Sequence, residues 1–397
     1  MDEFAPDAAE PGPLESPPPP AAEPAAPVRR RTWLWISGAV VLIGLVIAGV
    51  QLWANLAYDD ADEAFLHARV AAAPPTATLI AALHGADTRT AAAQALDGVS
   101  TPELLGPENR AALAAAAEGL AKDRADAEHV GLALPGEPAK KPPVPWELFV
   151  QASDLRDRTT ALEDRTADQV DAAQSLNDAI GGIDALGGSI LDAAHAAVPT
   201  IEKASVDSRF APIVEMRKAD DEVESSDKRL DENATASLLR LDRAVVAVRA
   251  SAKSELAAKA GPLYGTRRKI EAYARSISGG VLLEFVWTDR LLGQGAGQSG
   301  AGTATWDAND GGTSHITLTN SIARYWPAEW TRALVAHEVG HSISAKCYEK
   351  FDWENEHANE LWATAWAMSW GYDPYPAGAD NYGMPPKSMQ EAAKTCR

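Results

Sequence analysis

From Thr32 to Tyr58 the chain carries no charged side chain, and its apolar centre runs from Ile36 to Val50. A stretch of that length and composition has one stable home, a bilayer-spanning helix, because lipid offers no partner for backbone N–H and C=O groups. Trp33, Trp35 and Trp53 sit near its two ends like interfacial anchors. Arg29, Arg30 and Arg31 precede it, and Asp59, Asp60, Asp62 and Glu63 follow. The positive-inside bias puts residues 1–31 in the cytoplasm and the rest outside the cell membrane. Those first residues are rich in Pro, Ala, Asp and Glu, with Phe4 as the single aromatic residue before Trp33, and read as a disordered acidic tail. No small-x-small site follows Val50, so residues 32–56 are expected to stay as a signal anchor. Gly44 and Ala48 form a small-xxx-small pair, a weak dimerisation signal in an Ala-rich chain.

Residues 57–130 are Ala-rich, and Pro74, Pro75, Gly85, Gly98 and Gly106 are expected to break them into short helices. Residues 131–146 are Pro-rich and read as a linker. A heptad then emerges over 147–261. Leu148, Leu155, Leu162, Gln169, Leu176, Ile183 and Ile190 stand seven apart, with Ala152, Thr159, Thr166, Ala173 and Ile180 at companion positions. Gly181, Gly182, Gly187 and Gly188 interrupt its end, and a second seam runs through Leu238, Leu241, Val245, Val248 and Ala252. This is the pattern of a helical stalk that pairs within itself as a hairpin or bundle, or with a second copy of the chain.

Eight of the 12 tryptophans lie after Gly280, which marks residues 262–397 as a separate, aromatic-rich domain. Val281–Trp287, Thr303–Ala308 and Ser314–Asn320 read as strands, the last two joined by a turn at 309–312. The fold class is therefore α+β. Gly295, Gly297 and Gly300 spell G-x-G-x-x-G, but a strand-like segment follows where a dinucleotide site needs a helix. A hairpin loop beside a cleft is the better reading. The formal net charge of −20 excludes a nucleic-acid partner, since binding phosphates needs clustered cations. Cys347 and Cys396 are the two cysteines, and an oxidising compartment permits a disulfide that would pin the C-terminal tail.

Within this domain stands His337-Glu338-Val339-Gly340-His341. Pro327 suits a helix start, and Glu329 complements its positive end. Positions i and i+4 share one helix face, so both imidazoles can reach one zinc ion, and Glu338 can take a proton from a bound water. Glu354, Glu356, His357 and Glu360 are candidates for a third ligand.

Asn359-Glu360, nineteen positions after His341 and followed by Leu361 to Ala367, resembles the second zinc helix of the gluzincin metallopeptidases, the thermolysin-like group. That resemblance implies a small zincin-like domain with antiparallel edge strands and two zinc-ligand helices. It makes His337, His341 and Glu360 the zinc ligands and Glu338 the general base. It also makes Ser314–Asn320 the edge strand to which a substrate peptide would add. The implied substrate is a peptide or protein at the cell envelope. The family often has Asp where this chain has Thr364, so orientation of a zinc-binding His rests there on a hydroxyl. His357 could support the zinc, donate to the transition state or act as an alternative ligand. Tyr372, Tyr375 and Tyr382 are the candidate oxyanion donors. A rival expectation is a membrane-tethered helical scaffold or sensor whose zinc domain is structural or inactive.

Overall fold

The computed structural model describes residues 29–397, with side chains from Ser37 onward. Positions 1–28 of the expected tail lie outside the described residues. One helix is long and apolar enough to cross a membrane. Its apolar stretch lies within Ser37–Gly98, and an 18-residue window there has mean hydropathy 2.1. Val40, Val41, Leu42, Ile43, Leu45, Val46 and Ile47 are all exposed on it, an arrangement suited to lipid.

The expected break at Pro74 and Pro75 does not occur. Helix α1 runs from Arg29 to Ala95 through both prolines. Each Pro removes an i→i−4 hydrogen bond, but adjacent prolines confine that loss to one turn. There the Thr78 hydroxyl donates to the Pro74 carbonyl at 3.0 Å, and Thr76 Oγ1 donates to Gln169 Oε1 at 2.9 Å. The boundary between the two compact units of the chain falls at this point. Among the described residues, one unit holds those up to Ala73 together with Leu134–Asp164, and the other holds Pro74–Ala133 with Arg165–Arg397.

In the first unit, Ala54, Tyr58, Ala61 and Phe65 pack with Leu148, Ala152, Leu155 and Leu162. The Pro-rich segment has no helix or strand from 131 to 142. It is nevertheless tied down, since Tyr58 donates to the Ala139 carbonyl at 3.2 Å and Lys141 pairs with Asp59 at 2.6 Å.

The second unit contains a helical bundle and the aromatic-rich domain. The bundle draws on the end of α1, on α2 (Pro107–Glu128), the later turns of α3 (Pro145–Ala204), α4 (Phe210–Glu224) and α5 (Glu232–Ala258). Leu176, Ile183 and Ile190 of the first seam and Leu238, Leu241, Val245 and Val248 of the second share its core. The expected interruption at Gly187 and Gly188 is absent, because α3 continues through both. These glycines give room instead. A Cβ on Gly187 would fall 2.9 Å from the Leu230 Cβ, and one on Gly188 would fall 3.2 Å from the Lys228 carbonyl.

Helix α6 (Tyr264–Ile277) leads into a sheet of β1 (Leu282–Thr288), β2 (Gly302–Asp307) and β3 (Thr313–Thr319), in spatial order β1-β3-β2. Here the structure corrects the strand reading. β1 pairs with β3 in parallel and β2 pairs with β3 antiparallel, so β3 is central and β1 and β2 are the two edges. The alternation in β3 misled because its hydroxyl residues are buried and satisfied internally. Ser314 and Ser342 share a hydrogen bond of 2.7 Å, and Thr319 bonds Ser321 at 2.9 Å. Past the sheet come α7 (Asn320–Tyr325), α8 (Glu329–Ser342), α9 (Ser344–Cys347), α10 (Glu356–Ser369), α11 (Asp380–Tyr382) and α12 (Lys387–Lys394). Cys347 and Cys396 are disulfide-bonded, which fixes the chain end after α12 to the end of α9.

Bundle and domain meet at a buried charge cluster. Glu271 of α6 pairs with Lys259 at 3.0 Å and accepts from the Trp287 indole at 2.9 Å, with both charged side chains nearly inaccessible. Arg275 adds a contact to Glu271 at 3.6 Å and one to Asp207 at 3.4 Å.

Candidate metal centre

Helix α8 begins at Glu329, after the turn at Trp326 and Pro327 and the flanking Ala328, and carries His337, Glu338 and His341 into the interior. Helix α10 is started by the Asn355 side chain, which accepts from the Ala358 N–H at 3.1 Å. The two helices cross where α8 has Gly340. A Cβ there would fall 2.8 Å from both Cα and O of Ala363, so only glycine permits this approach. The close crossing brings Glu360 to the histidines.

The potential ligand atoms of His337, His341 and Glu360 all lie within 4.8 Å of one another. Glu360 Oε2 is 3.1 Å from His337 Nε2 and 3.4 Å from His341 Nε2, and the two Nε2 atoms are 3.1 Å apart. Each imidazole also has an acceptor behind it. His337 Nδ1 lies 2.9 Å from the Ala377 carbonyl, and His341 Nδ1 lies 3.4 Å from Asn359 Oδ1. With ring protons on Nδ1 toward those acceptors, both Nε2 atoms are free to bind a metal ion; with protons on Nε2, they donate to Glu360. Two imidazole nitrogens and a carboxylate converging in a largely buried space are able to hold a metal ion. The donor set of two imidazoles and one carboxylate suits zinc.

The charges in the group respond to this crowding. Burial tends to raise Glu360, but hydrogen bonds to His337 and His341 outweigh it and hold the carboxyl far below the usual range. Burial tends to lower His341, but its bond to Glu360 and the charge of Glu338 outweigh that and raise it. Glu338 is 4 % exposed, and burial pushes its carboxyl up against the partial offset of His337 and His341. Strand β2 presses on this side chain, since a Cβ on Gly302 would fall 2.6 Å from the Glu338 Cγ.

The remaining candidates separate clearly. Tyr382 stacks on the His337 ring at 5.8 Å and 15°, and burial, then Glu360, push its phenol up to about 12. It lines, with Glu338, His337 and the exposed Tyr375, a cavity of about 600 Å³. Tyr372 points elsewhere, bonding Tyr273 at 2.5 Å under the Arg332 guanidinium. Thr364 is fully buried and donates to the Glu360 carbonyl at 2.9 Å. His357 is exposed, and among the described residues it stands outside the three-residue group.

The sequence placed the orienting role at Thr364. In the structure it falls to the Ala377 carbonyl for His337 and to Asn359 for His341. A carbonyl leaves no trace in residue type. The nearest signal is Gly378, whose φ of +123° lets the chain turn against Thr364 and His337. No family model, curated protein or solved structure matches the chain.

Proposed function

We propose that this chain is a membrane-anchored, extracytoplasmic zinc peptidase of gluzincin type. The observation that carries the reading is the convergence of His337 Nε2, His341 Nε2 and Glu360 Oε2 beside a buried Glu338. Zinc held by these three side chains would polarise a scissile carbonyl and ease deprotonation of water. Glu338, whose burial raises its proton affinity, accepts the proton of the attacking water and passes it to the leaving amine. Tyr382, with its phenol kept protonated, donates to the carbonyl oxygen as negative charge develops there. Ala377 and Asn359 hold the two imidazoles in the tautomer that leaves Nε2 free. Strand β2, the edge strand that abuts Glu338, offers its outer side to an extended substrate.

The anchor is the apolar stretch of α1, with Arg29–Arg31 on the cytoplasmic side and the chain from Asp59 onward outside. A structural zinc site would close with a fourth protein ligand, and the side chain best placed in sequence, His357, is exposed away from the group. That favours the enzyme over a scaffold with an idle zinc domain.

The test uses the full chain in detergent micelles. About one zinc per chain is expected, with cleavage of a mixed peptide library. Glu338→Gln should keep the zinc and lose at least about 10²-fold in kcat. Wild-type protein without stoichiometric zinc, or Glu338→Gln with undiminished cleavage, would overturn the reading.

A further inference from the structure

A second cavity, of about 580 Å³, opens at the other end of strand β2. Three aromatic rings wall it. Trp306 stacks with Tyr348 at 5.9 Å and 15°, while Trp353 stands nearly upright to both, at 5.7 Å and 72° to Trp306 and at 6.3 Å and 82° to Tyr348. Trp353 is 44 % exposed, so its ring is committed to the cavity wall rather than to the core.

Two features link the cavity to the proposed catalytic cleft. Asn359 lines it and also lies 3.4 Å from His341 Nδ1. Strand β2 lines both, through Gly302 at the Glu338 end and through Ala304, Thr305, Trp306 and Asp307 at the aromatic end. Gly302 and Trp306 share one face of the strand, four residues or about 13 Å apart. A peptide added to the β2 edge would pass Glu338 and then reach the three rings.

The electrostatics select the occupant. Asp307 lines the cavity, and Glu349, Asp352 and Glu354 belong to the segment that carries Tyr348 and Trp353. The one cation of that segment, Lys350, is turned away to the Thr395 hydroxyl at 2.7 Å. An aromatic box attracts a cation through the ring quadrupoles, and neighbouring carboxylates reinforce that attraction. We propose that Trp306, Tyr348 and Trp353 form a specificity subsite for the lysine or arginine side chain of a peptide extended along β2. The proposal rests on the peptidase reading.

The test separates the two. Full-length Glu338→Gln protein loaded with zinc is titrated calorimetrically with capped peptides. These are identical except for one residue, set to lysine, norleucine or glutamate and moved along the chain. At one position lysine should bind about tenfold more tightly than norleucine, and salt should weaken the preference. Trp353→Ala should abolish the preference with zinc content unchanged, and Trp353→Phe should retain most of it. Equal binding of lysine and norleucine peptides, no peptide binding at all, or a lysine preference that survives Trp353→Ala would overturn the subsite. Cleavage by wild-type protein without a lysine preference would remove the subsite and leave the peptidase. A Trp353-dependent preference without cleavage would support the subsite as a binding site and remove the peptidase.

Discussion

The helical bundle and the metal-binding domain are held together in opposite ways. In the bundle, Leu176, Ile183, Ile190, Leu238, Leu241, Val245 and Val248 repeat one kind of contact, each fully or almost fully buried among aliphatic neighbours. Stability there is distributed, and no single position dictates the geometry of the rest. In the metal domain a few positions dictate it. α8 meets α10 because position 340 lacks a Cβ, Glu338 clears strand β2 because position 302 lacks one, and His337 is aimed by one carbonyl. A stalk tolerates small errors in helix placement, whereas three ligand atoms must converge within a few ångströms.

The largest stability effect is expected in the bundle. Leu176→Ala removes a fully buried side chain and should cost about 3 kcal/mol in urea unfolding of the micelle-bound chain. Zinc stoichiometry in the folded variant should stay at the wild-type value. Loss of zinc from folded Leu176→Ala protein would break the contrast between the regions, because a distributed core would then be setting ligand geometry.

A smaller loss of stability should do more damage to the site. Gly340→Ala forces a methyl group against the Ala363 backbone and should cost about 2 kcal/mol as α10 is pushed outward. The shift moves Glu360 away from the imidazoles, so zinc affinity should fall at least about tenfold when measured by competition with a chromogenic chelator. A variant destabilised by that amount with unchanged zinc affinity would show that the crossing does not position the ligand.

The same contrast decides what the sequence could show. The heptad positions from Leu148 to Ile190 are all buried, because a repeating contact produces a repeating pattern. The grouping of His337, His341 and Glu360 was legible because the i, i+4 spacing puts both imidazoles on one helix face. The prolines at 74 and 75 and the glycines at 187 and 188 were misread as breaks. The helix continues through the prolines because adjacent ones confine the lost backbone bonds to one turn, and at the glycines a Cβ would meet Leu230 or Lys228. The order β1-β3-β2 was hidden for a different reason. A strand pattern records which faces are buried, not which neighbour lies on each edge, and the buried hydroxyls of β3 imitate a wet face. The carbonyl of Ala377 had no side-chain signature at all.

The smallest effect concerns a polar contact inside the bundle, whose core is aliphatic. Asp242 on α5 receives the backbone N–H groups of Ser100 and Thr101, at 3.0 and 2.8 Å, and the Ser100 hydroxyl at 3.0 Å. Burial tends to raise its carboxyl, but these hydrogen bonds outweigh it and hold the group below its ordinary value. A carboxyl lowered in this way binds protons more weakly in the folded chain than in the unfolded one. It therefore stabilises the fold above the unfolded value of about 3.9, and the contribution is lost as pH falls through the depressed folded value. Asp242→Asn turns one acceptor oxygen into an NH₂ group facing donors and should cost about 1 kcal/mol at pH 7, allowing for partial solvent screening. The gap between wild type and variant, measured by urea midpoints, should stay level from pH 7 to about pH 5 and close below about pH 4. A gap that widened with acidity would mean that Asp242 is protonated in the native bundle, and that this corner is held by packing like the rest of the stalk.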